Sequence, residues 1–106
     1  MSKMIIINNL KEDLERINKN IEMYESKILK CYQGYLREKK INGKSYYYLR
    51  KRHGDKVNDK YIKKIEVPEV KESIKKRKFI EENKKNLEEQ KVFIEKILRK
   101  ELNNKV

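Results

Sequence analysis

The sequence predicts an α+β fold, in which an antiparallel, coiled-coil-like helical hairpin carries a three-stranded antiparallel β-meander inserted at its tip. Two segments with the apolar periodicity of helices flank a middle segment that contains two tight-turn dipeptides, Asn42-Gly43 and Gly54-Asp55. With 106 residues, the chain has the length of a single domain. The predicted elements of this domain, residues 1–106, are a helix over 7–32, the β-meander over 34–64 and a second helix over 68–103.

The first helix is predicted from a heptad pattern. Apolar residues recur at alternating spacings of three and four over more than three heptads, which is typical of a coiled-coil seam. Asn8 or Asn9 is predicted to cap the amino terminus, and the helix is predicted to end by Gly34. Because such a seam serves pairing within a chain and between chains equally well, a homodimer through the seam stays open. The seam consists of Ile7, Leu10, Leu14, Ile17, Ile21, Tyr24, Ile28 and Cys31.

The second helix is predicted to start at Pro68, because the first helical turn tolerates the missing N–H of proline. The two helices are predicted to pack antiparallel, each covering the apolar stripe of the other. The basic run over 75–78, Lys-Lys-Arg-Lys, is interpreted as an exposed helix face, with a phosphate-binding role as the alternative. The stripe comprises Val70, Ile74, Ile80, Leu87, Ile94, Leu98 and Leu102, widened by Phe79, Val92, Phe93 and Ile97.

The two tight turns set the register of the meander, whose strands are predicted over roughly 34–41, 44–52 and 57–64. Because side chains alternate across a strand, the register divides them between two faces. One of these, called the Tyr/Arg face below, carries Tyr35, Arg37, Lys39, Tyr46, Tyr48, Arg50, Arg52, Asp59, Tyr61 and Lys63. The opposite face is predicted to pack against the helices. It carries Leu36, Glu38, Tyr47, Leu49, Lys51, Lys60 and Ile62.

Positive charge is concentrated in the meander. Residues 32–67 hold 11 Lys and Arg against 4 Asp and Glu, which is +7 of the net +12 of the chain. Cations on a sheet neutralise phosphates, and tyrosine rings stack on exposed bases. The sequence therefore favours a small, basic, non-enzymatic nucleic-acid-binding protein, with DNA or RNA as the partner. Its expected contacts are Arg37, Lys39, Arg50 and Arg52 to phosphate and Tyr46, Tyr48 and Tyr61 to bases, with Lys63 on the same surface.

Three other interpretations stay open. The tyrosines can form a cross-strand aromatic ladder that stabilises the sheet without contacting a ligand. The same face can instead bind a nucleic-acid-binding protein, or an acidic protein surface, as an inhibitor of the antitoxin-like or counter-defence kind. The chain can also be a structural module that dimerises through the heptad seam.

The stretch GKSYYYLRKRHGDKVNDKYIKK, followed by VKESIKKRKFIEENKKNLEEQ, resembles an uncharacterised family of bacterial and archaeal proteins. The resemblance covers about residues 34–95, implies a helix–meander–helix fold and carries no activity. The chain departs from the family pattern at Lys63, where the family often has glycine. The Tyr-rich and Lys-rich stretch is also similar to the opening of some transposases, which implies mobile elements and a phage or plasmid counter-defence (anti-CRISPR-like) role. The matching residues are Gly43, Lys44, Tyr46, Tyr47, Tyr48, Leu49, Lys56, Val57, Tyr61 and Ile62.

The sequence offers no set of side chains for catalysis. With one cysteine, Cys31, and one histidine, His53, neither a Cys-His pair nor a four-ligand zinc site is expected, and no enzyme activity, cofactor or metal is predicted. The apolar run from Met4 to Ile7 is too short for a signal peptide or a membrane span. A lone cysteine also fits a reducing compartment, so we expect a cytoplasmic protein with no membrane partner.

Overall fold

The computed structural model describes residues 2–103 and confirms the predicted α+β class. The three strands form one antiparallel sheet in the order β1-β2-β3. In chain order, the elements are helix α1 (Lys3–Leu29), strands β1 (Tyr35–Ile41), β2 (Lys44–His53) and β3 (Lys56–Ile62), a short 3-10 helix (Lys64–Glu66) and helix α2 (Val67–Asn103). The chain divides into two compact units: Ile28–Phe79 form the meander unit, and the segments before and after it form the helical unit.

In the helical unit, the predicted seam of α1 is buried. The six seam residues from Ile7 to Tyr24 are all buried or half-buried. On α2, Ile80 and Leu98 are buried as well. The heptad prediction for α1 is therefore confirmed over the part of the helix that belongs to this unit.

Two ion pairs show that the helices of this unit run antiparallel. Near one end, Lys3 Nζ of α1 lies 2.7 Å from Glu101 Oε2 of α2. Near the other, Lys84 Nζ of α2 lies 3.5 Å from Glu25 Oε1 of α1. The start of α1 thus lies beside the end of α2, as predicted for a helical hairpin.

Helix α1 starts and ends earlier than predicted. It begins at Lys3 and ends at Leu29 rather than at residue 32. The carbonyl of Ser2 accepts the N–H of Ile5 at 3.1 Å, and its Oγ lies 3.4 Å from the same nitrogen. Because serine caps the helix there, the prediction of a cap at Asn8 or Asn9 is wrong, and both asparagines lie inside the helix with exposed side chains.

Part of the predicted apolar stripe on α2 is exposed. Phe79, Phe93 and Val92 are 67%, 66% and 52% exposed, so their assignment to the stripe is wrong. The same holds for Leu102, which is 49% exposed. The less exposed positions beyond Phe79 follow heptad spacing and include charged residues, two of which form ion pairs with α1. These positions, all buried or half-buried, are Ile80, Lys84, Leu87, Lys91, Ile94, Leu98 and Glu101.

The register of the meander is the predicted one for every strand pairing derived from the two turns. Asn42 and Gly43 adopt φ angles of 52° and 79°, as the central residues of a type I′ turn must. Gly54 has a φ of 60° at the first position of the second two-residue turn. Because both loops have two residues, no side chain changes face relative to the prediction.

The meander unit has its own small core on one side of the sheet. Leu49 and Ile62 are each 2% exposed, and Val70 of α2 is fully buried. Leu49 and Ile62 belong to the face that was predicted to pack inward, which is confirmed. The core cluster comprises Leu49, Ile62, Val67, Val70 and Ile74, with Tyr32, Leu36 and Tyr47 packed against it.

Candidate functional site

The Tyr/Arg face is organised in cross-strand rows, because each residue of the central strand β2 has a partner on one or both sides. A row at one end pairs Arg52 with Val57. The three rows that follow each combine tyrosine with a cation, and every side chain in the four rows is half-buried or exposed. These three rows are Tyr35–Arg50–Asp59, Arg37–Tyr48–Tyr61 and Lys39–Tyr46.

Of the eight predicted site residues, Lys63 is the one that lies outside the sheet. Strand β3 ends at Ile62, so the predicted end at residue 64 is wrong. The chain turns there into the 3-10 helix that begins at Lys64, and strand alternation no longer sets the direction of Lys63.

Sequence reasoning missed one cation of the Tyr/Arg face. Lys44 pairs with Ile41 beside the first turn, so it shares the face of Tyr46, two residues further along β2, and it is exposed. Counting outward from the Asn42-Gly43 loop would have identified it, because the same alternation assigned the residues of the strand from Tyr46 to Arg52.

The ring of Tyr48 packs against neighbouring side chains, whereas the ring of Tyr61 is accessible to solvent. The ring centroids of the two tyrosines lie 5.7 Å apart at an interplanar angle of 65°, an edge-to-face arrangement. Lys39 Nζ lies 5.3 Å from the ring centroid of Tyr48, within the range of a cation–π contact. Tyr61 stays 51% exposed. The central ring therefore supports the sheet, and the outer ring presents surface to solvent.

Arg50 forms a bidentate ion pair with Asp59 across β2 and β3. Its Nε donates to Asp59 Oδ1 at 2.7 Å, and its Nη2 donates to Oδ2 at 2.8 Å. These hydrogen bonds raise the pKa of the Arg50 guanidinium and lower the pKa of the Asp59 carboxyl. Because Asp59 occupies two of its donors, Arg50 is less suited than Arg37 or Arg52 to contact a phosphate, and it serves to order the face.

Asp59→Asn is expected to remove the part of the decrease in unfolding free energy at low pH that comes from this ion pair. The pKa of Asp59 is lower in the folded chain than in the unfolded chain, so its carboxylate stabilises the fold above the usual value of about 4. That contribution is lost as the pH falls through the lowered folded pKa. Urea denaturation should show a constant difference in unfolding free energy between wild type and variant above about pH 5, and a difference that shrinks as the pH falls below about 4. A difference that persists at the acid end would contradict this role.

A buried arginine of α2 holds the start of β1. Arg77 is 8% exposed, and its guanidinium donates to the carbonyl of Tyr32 and, at 2.9 Å, to that of Gly34. The interpretation of the run 75–78 as an exposed helix face is therefore wrong for Arg77, because this side chain is directed into the meander unit. Its burial also keeps it from acting as a surface cation for phosphate.

The side chains that could bind a metal do not cluster in the part of the chain that the structure describes. Over residues 2–103, no three His, Cys, Asp or Glu side chains are grouped so that they could hold a metal ion. His53 is exposed at the end of β2, and Cys31 is half-buried between α1 and β1. None of the helices described in that range has the length and apolarity of a membrane span.

Comparison with known proteins identifies one family. The family model described as Domain of unknown function (DUF6788) matches residues 6–72, which include most of α1, the whole meander and the start of α2. The match agrees with the predicted membership of an uncharacterised family. No curated protein and no solved structure matches the chain.

Proposed function

We propose that this chain, which belongs to the family described as a domain of unknown function (DUF6788), binds single strands of DNA or RNA through the Tyr/Arg face, without catalysing a reaction. One observation carries the proposal: three successive cross-strand rows of an open sheet face each combine tyrosine with a cation. A nucleic acid strand repeats the complementary pair of groups, a flat base and a phosphate, at every nucleotide.

The most accessible rings of the face lie on its two outer strands. Tyr35 of β1 is 50% exposed and Tyr61 of β3 is 51% exposed. Stacking of a base on such a ring contributes about 1–3 kcal/mol to binding. Between them, Tyr48 is held by Tyr61 and Lys39, which keeps the platform ordered before a ligand arrives. Since bases in a duplex hide their faces against each other, the platform favours a strand with unpaired bases.

The cations of the face supply the part of the interaction that does not depend on sequence. Arg37, Lys39, Lys44 and Arg52 all lie on it, and Arg50 is paired with Asp59. Each phosphate that these side chains neutralise releases counterions from the strand, so binding weakens as the salt concentration rises. The proposal therefore predicts affinity that is strongest at low ionic strength.

The double variant Arg37→Gln, Arg52→Gln is expected to bind a labelled strand of about 12 nucleotides at least tenfold more weakly than wild type at low salt. If each arginine neutralises one phosphate, the slope of log K against log salt should flatten by about 1.4. Fluorescence anisotropy over a salt series measures both quantities.

The matched control is Lys56→Gln, Lys60→Gln. These two lysines are exposed on β3, and alternation places them on the side of the sheet away from the Tyr/Arg face. The control removes the same charge and should retain more affinity than the arginine variant. Absence of wild-type binding at low salt would overturn the proposal, and so would equal losses in the two variants or tighter binding of polyglutamate than of the strand.

A further inference from the structure

A groove lies on the side of the sheet opposite the Tyr/Arg face, within the meander unit. Its volume is about 450 Å³, and it runs between the β1–β2 hairpin and the first third of α2. Leu36 of β1 and Ile74 of α2 form part of its apolar wall, and both belong to or pack against the core of the unit. The apolar wall of the groove is thus held in place by the core of the unit. The groove is large enough for a small ligand or for part of a polymer chain.

Three lysines line the groove along α2. Lys71, Lys75 and Lys78 are spaced by four and three residues, so they share one side of the helix and span about 10 Å along its axis. All three are exposed. Glu38 also lines the groove, and one of its carboxylate oxygens accepts a hydrogen bond from Ser45 Oγ at 2.6 Å. Three cations against one carboxylate make the groove attractive to a ligand that carries more than one negative charge.

Aromatic rings accompany these cations. Tyr47 lines the groove, and Lys71 Nζ lies 5.4 Å from its ring centroid. Tyr35 lines it as well, although the register places Tyr35 opposite Arg50 in a row of the Tyr/Arg face. Because β1 is an edge strand, the groove and the Tyr/Arg face meet around the edge of the sheet at Tyr35.

We infer that the groove binds successive backbone phosphates of the same nucleic acid strand that lies on the Tyr/Arg face, the strand passing around the β1 edge beside Tyr35. The inference rests on the proposed function and extends it to a second surface. Charge complementarity assigns the phosphates to Lys71, Lys75 and Lys78, and the shared Tyr35 gives the strand a continuous path of rings and cations. An acidic peptide would pair with the three lysines, but it has no bases to stack on the tyrosine rings that continue onto the Tyr/Arg face.

The triple variant Lys71→Gln, Lys75→Gln, Lys78→Gln tests the inference, with Lys76→Gln, Lys85→Gln, Lys96→Gln as the control. The control lysines are also exposed on α2 and do not line the groove. For a strand of about 12 nucleotides, the groove variant should lose roughly tenfold or more in affinity relative to the control. Its salt slope should be flatter by about 2 if three phosphate contacts are lost. For a strand of about 4 nucleotides, which fits on the Tyr/Arg face alone, the two variants should bind equally.

Each other outcome overturns a defined part of the inference. If the two triple variants bind the long strand equally, the groove does not take part in binding, and the proposal for the Tyr/Arg face is unaffected. A wild-type protein that binds no strand would overturn the proposed function together with this extension of it. A groove variant that binds the long strand normally but loses affinity for polyglutamate would mark a peptide site instead. If the triple variant does not fold, Lys75→Gln against Lys76→Gln makes the same comparison with one charge.

Discussion

Gly34→Ala is expected to destabilise the chain by more than about 3 kcal/mol, a large fraction of the roughly 5–15 kcal/mol that stabilises a typical domain. Gly34 has a φ of 87°, in the left-handed region where a side chain costs about 1–2 kcal/mol. A Cβ at this position would lie 2.2 Å from the carbonyl oxygen of Arg50 and 3.0 Å from Lys51 Cγ. The oxygen belongs to the central strand, which is hydrogen-bonded on both sides and cannot move away without breaking the sheet.

Gly43→Ala separates the two causes of this loss. Gly43 has a similar φ of 79°, but a Cβ there meets no atom within 4 Å. Its substitution should therefore cost only the backbone term of about 1–2 kcal/mol. Urea denaturation of both variants, followed by circular dichroism, gives the comparison. Equal losses for the two glycines would show that the close approach to Arg50 is relieved by a small shift of the chain.

Arg77→Gln is the second substitution from which we expect a large effect, a loss of about 2–4 kcal/mol in unfolding free energy. The guanidinium donates to the part-buried carbonyls of Tyr32 and Gly34, and a carbonyl left without a donor away from water costs about 1–3 kcal/mol. The glutamine side chain is shorter and cannot reach both oxygens. Lys76→Gln is the control, because Lys76 is the exposed neighbour on the same helix and should change stability by less than about 0.5 kcal/mol.

Arg77→Lys refines the second prediction. A lysine keeps the charge but presents one ammonium instead of a planar fork, so it should recover only part of the loss. Thermal and urea denaturation of the wild type and the two Arg77 variants should rank their stability as wild type, then Arg77→Lys, then Arg77→Gln. A glutamine variant that is as stable as Lys76→Gln would contradict the positioning role assigned to Arg77.

Both substitutions act on the short connection between α1 and β1. Gln33 Nε2 donates to the carbonyls of Ile28 and Cys31 at 2.7 and 2.9 Å, and the N–H of Tyr32 donates to Ser73 Oγ at 2.9 Å. The connection is therefore tied to α2 and to itself just before Tyr35 begins the edge strand. Since Tyr35 belongs to both the Tyr/Arg face and the groove, this connection positions the residue at which the two proposed binding surfaces meet.

The features predicted correctly are those encoded by local repetition. The heptad spacing from Ile7 to Tyr24 identified the buried side of α1, because an α-helix returns to the same face at that interval. The Asn42-Gly43 dipeptide determined the register of the first hairpin, since few other residues adopt positive φ at both positions of a two-residue turn. Alternation from that turn then separated Tyr47 and Leu49 from Tyr46 and Tyr48 without knowledge of the rest of the fold.

By itself, then, the sequence determined the α+β class, the seam of α1 and the composition of the two sheet faces, because each follows from the geometry of one element and its turns. The tertiary structure alone decided which residues of α2 are buried and which of its charged side chains pair with α1. Arg77 is buried while Phe79 is exposed, and Lys84 lies beside Glu25, because these outcomes depend on which backbone carbonyls and charges a distant segment places nearby. The pattern of hydrophobic residues along one helix does not identify those partners, because the contacts form only when the elements pack together.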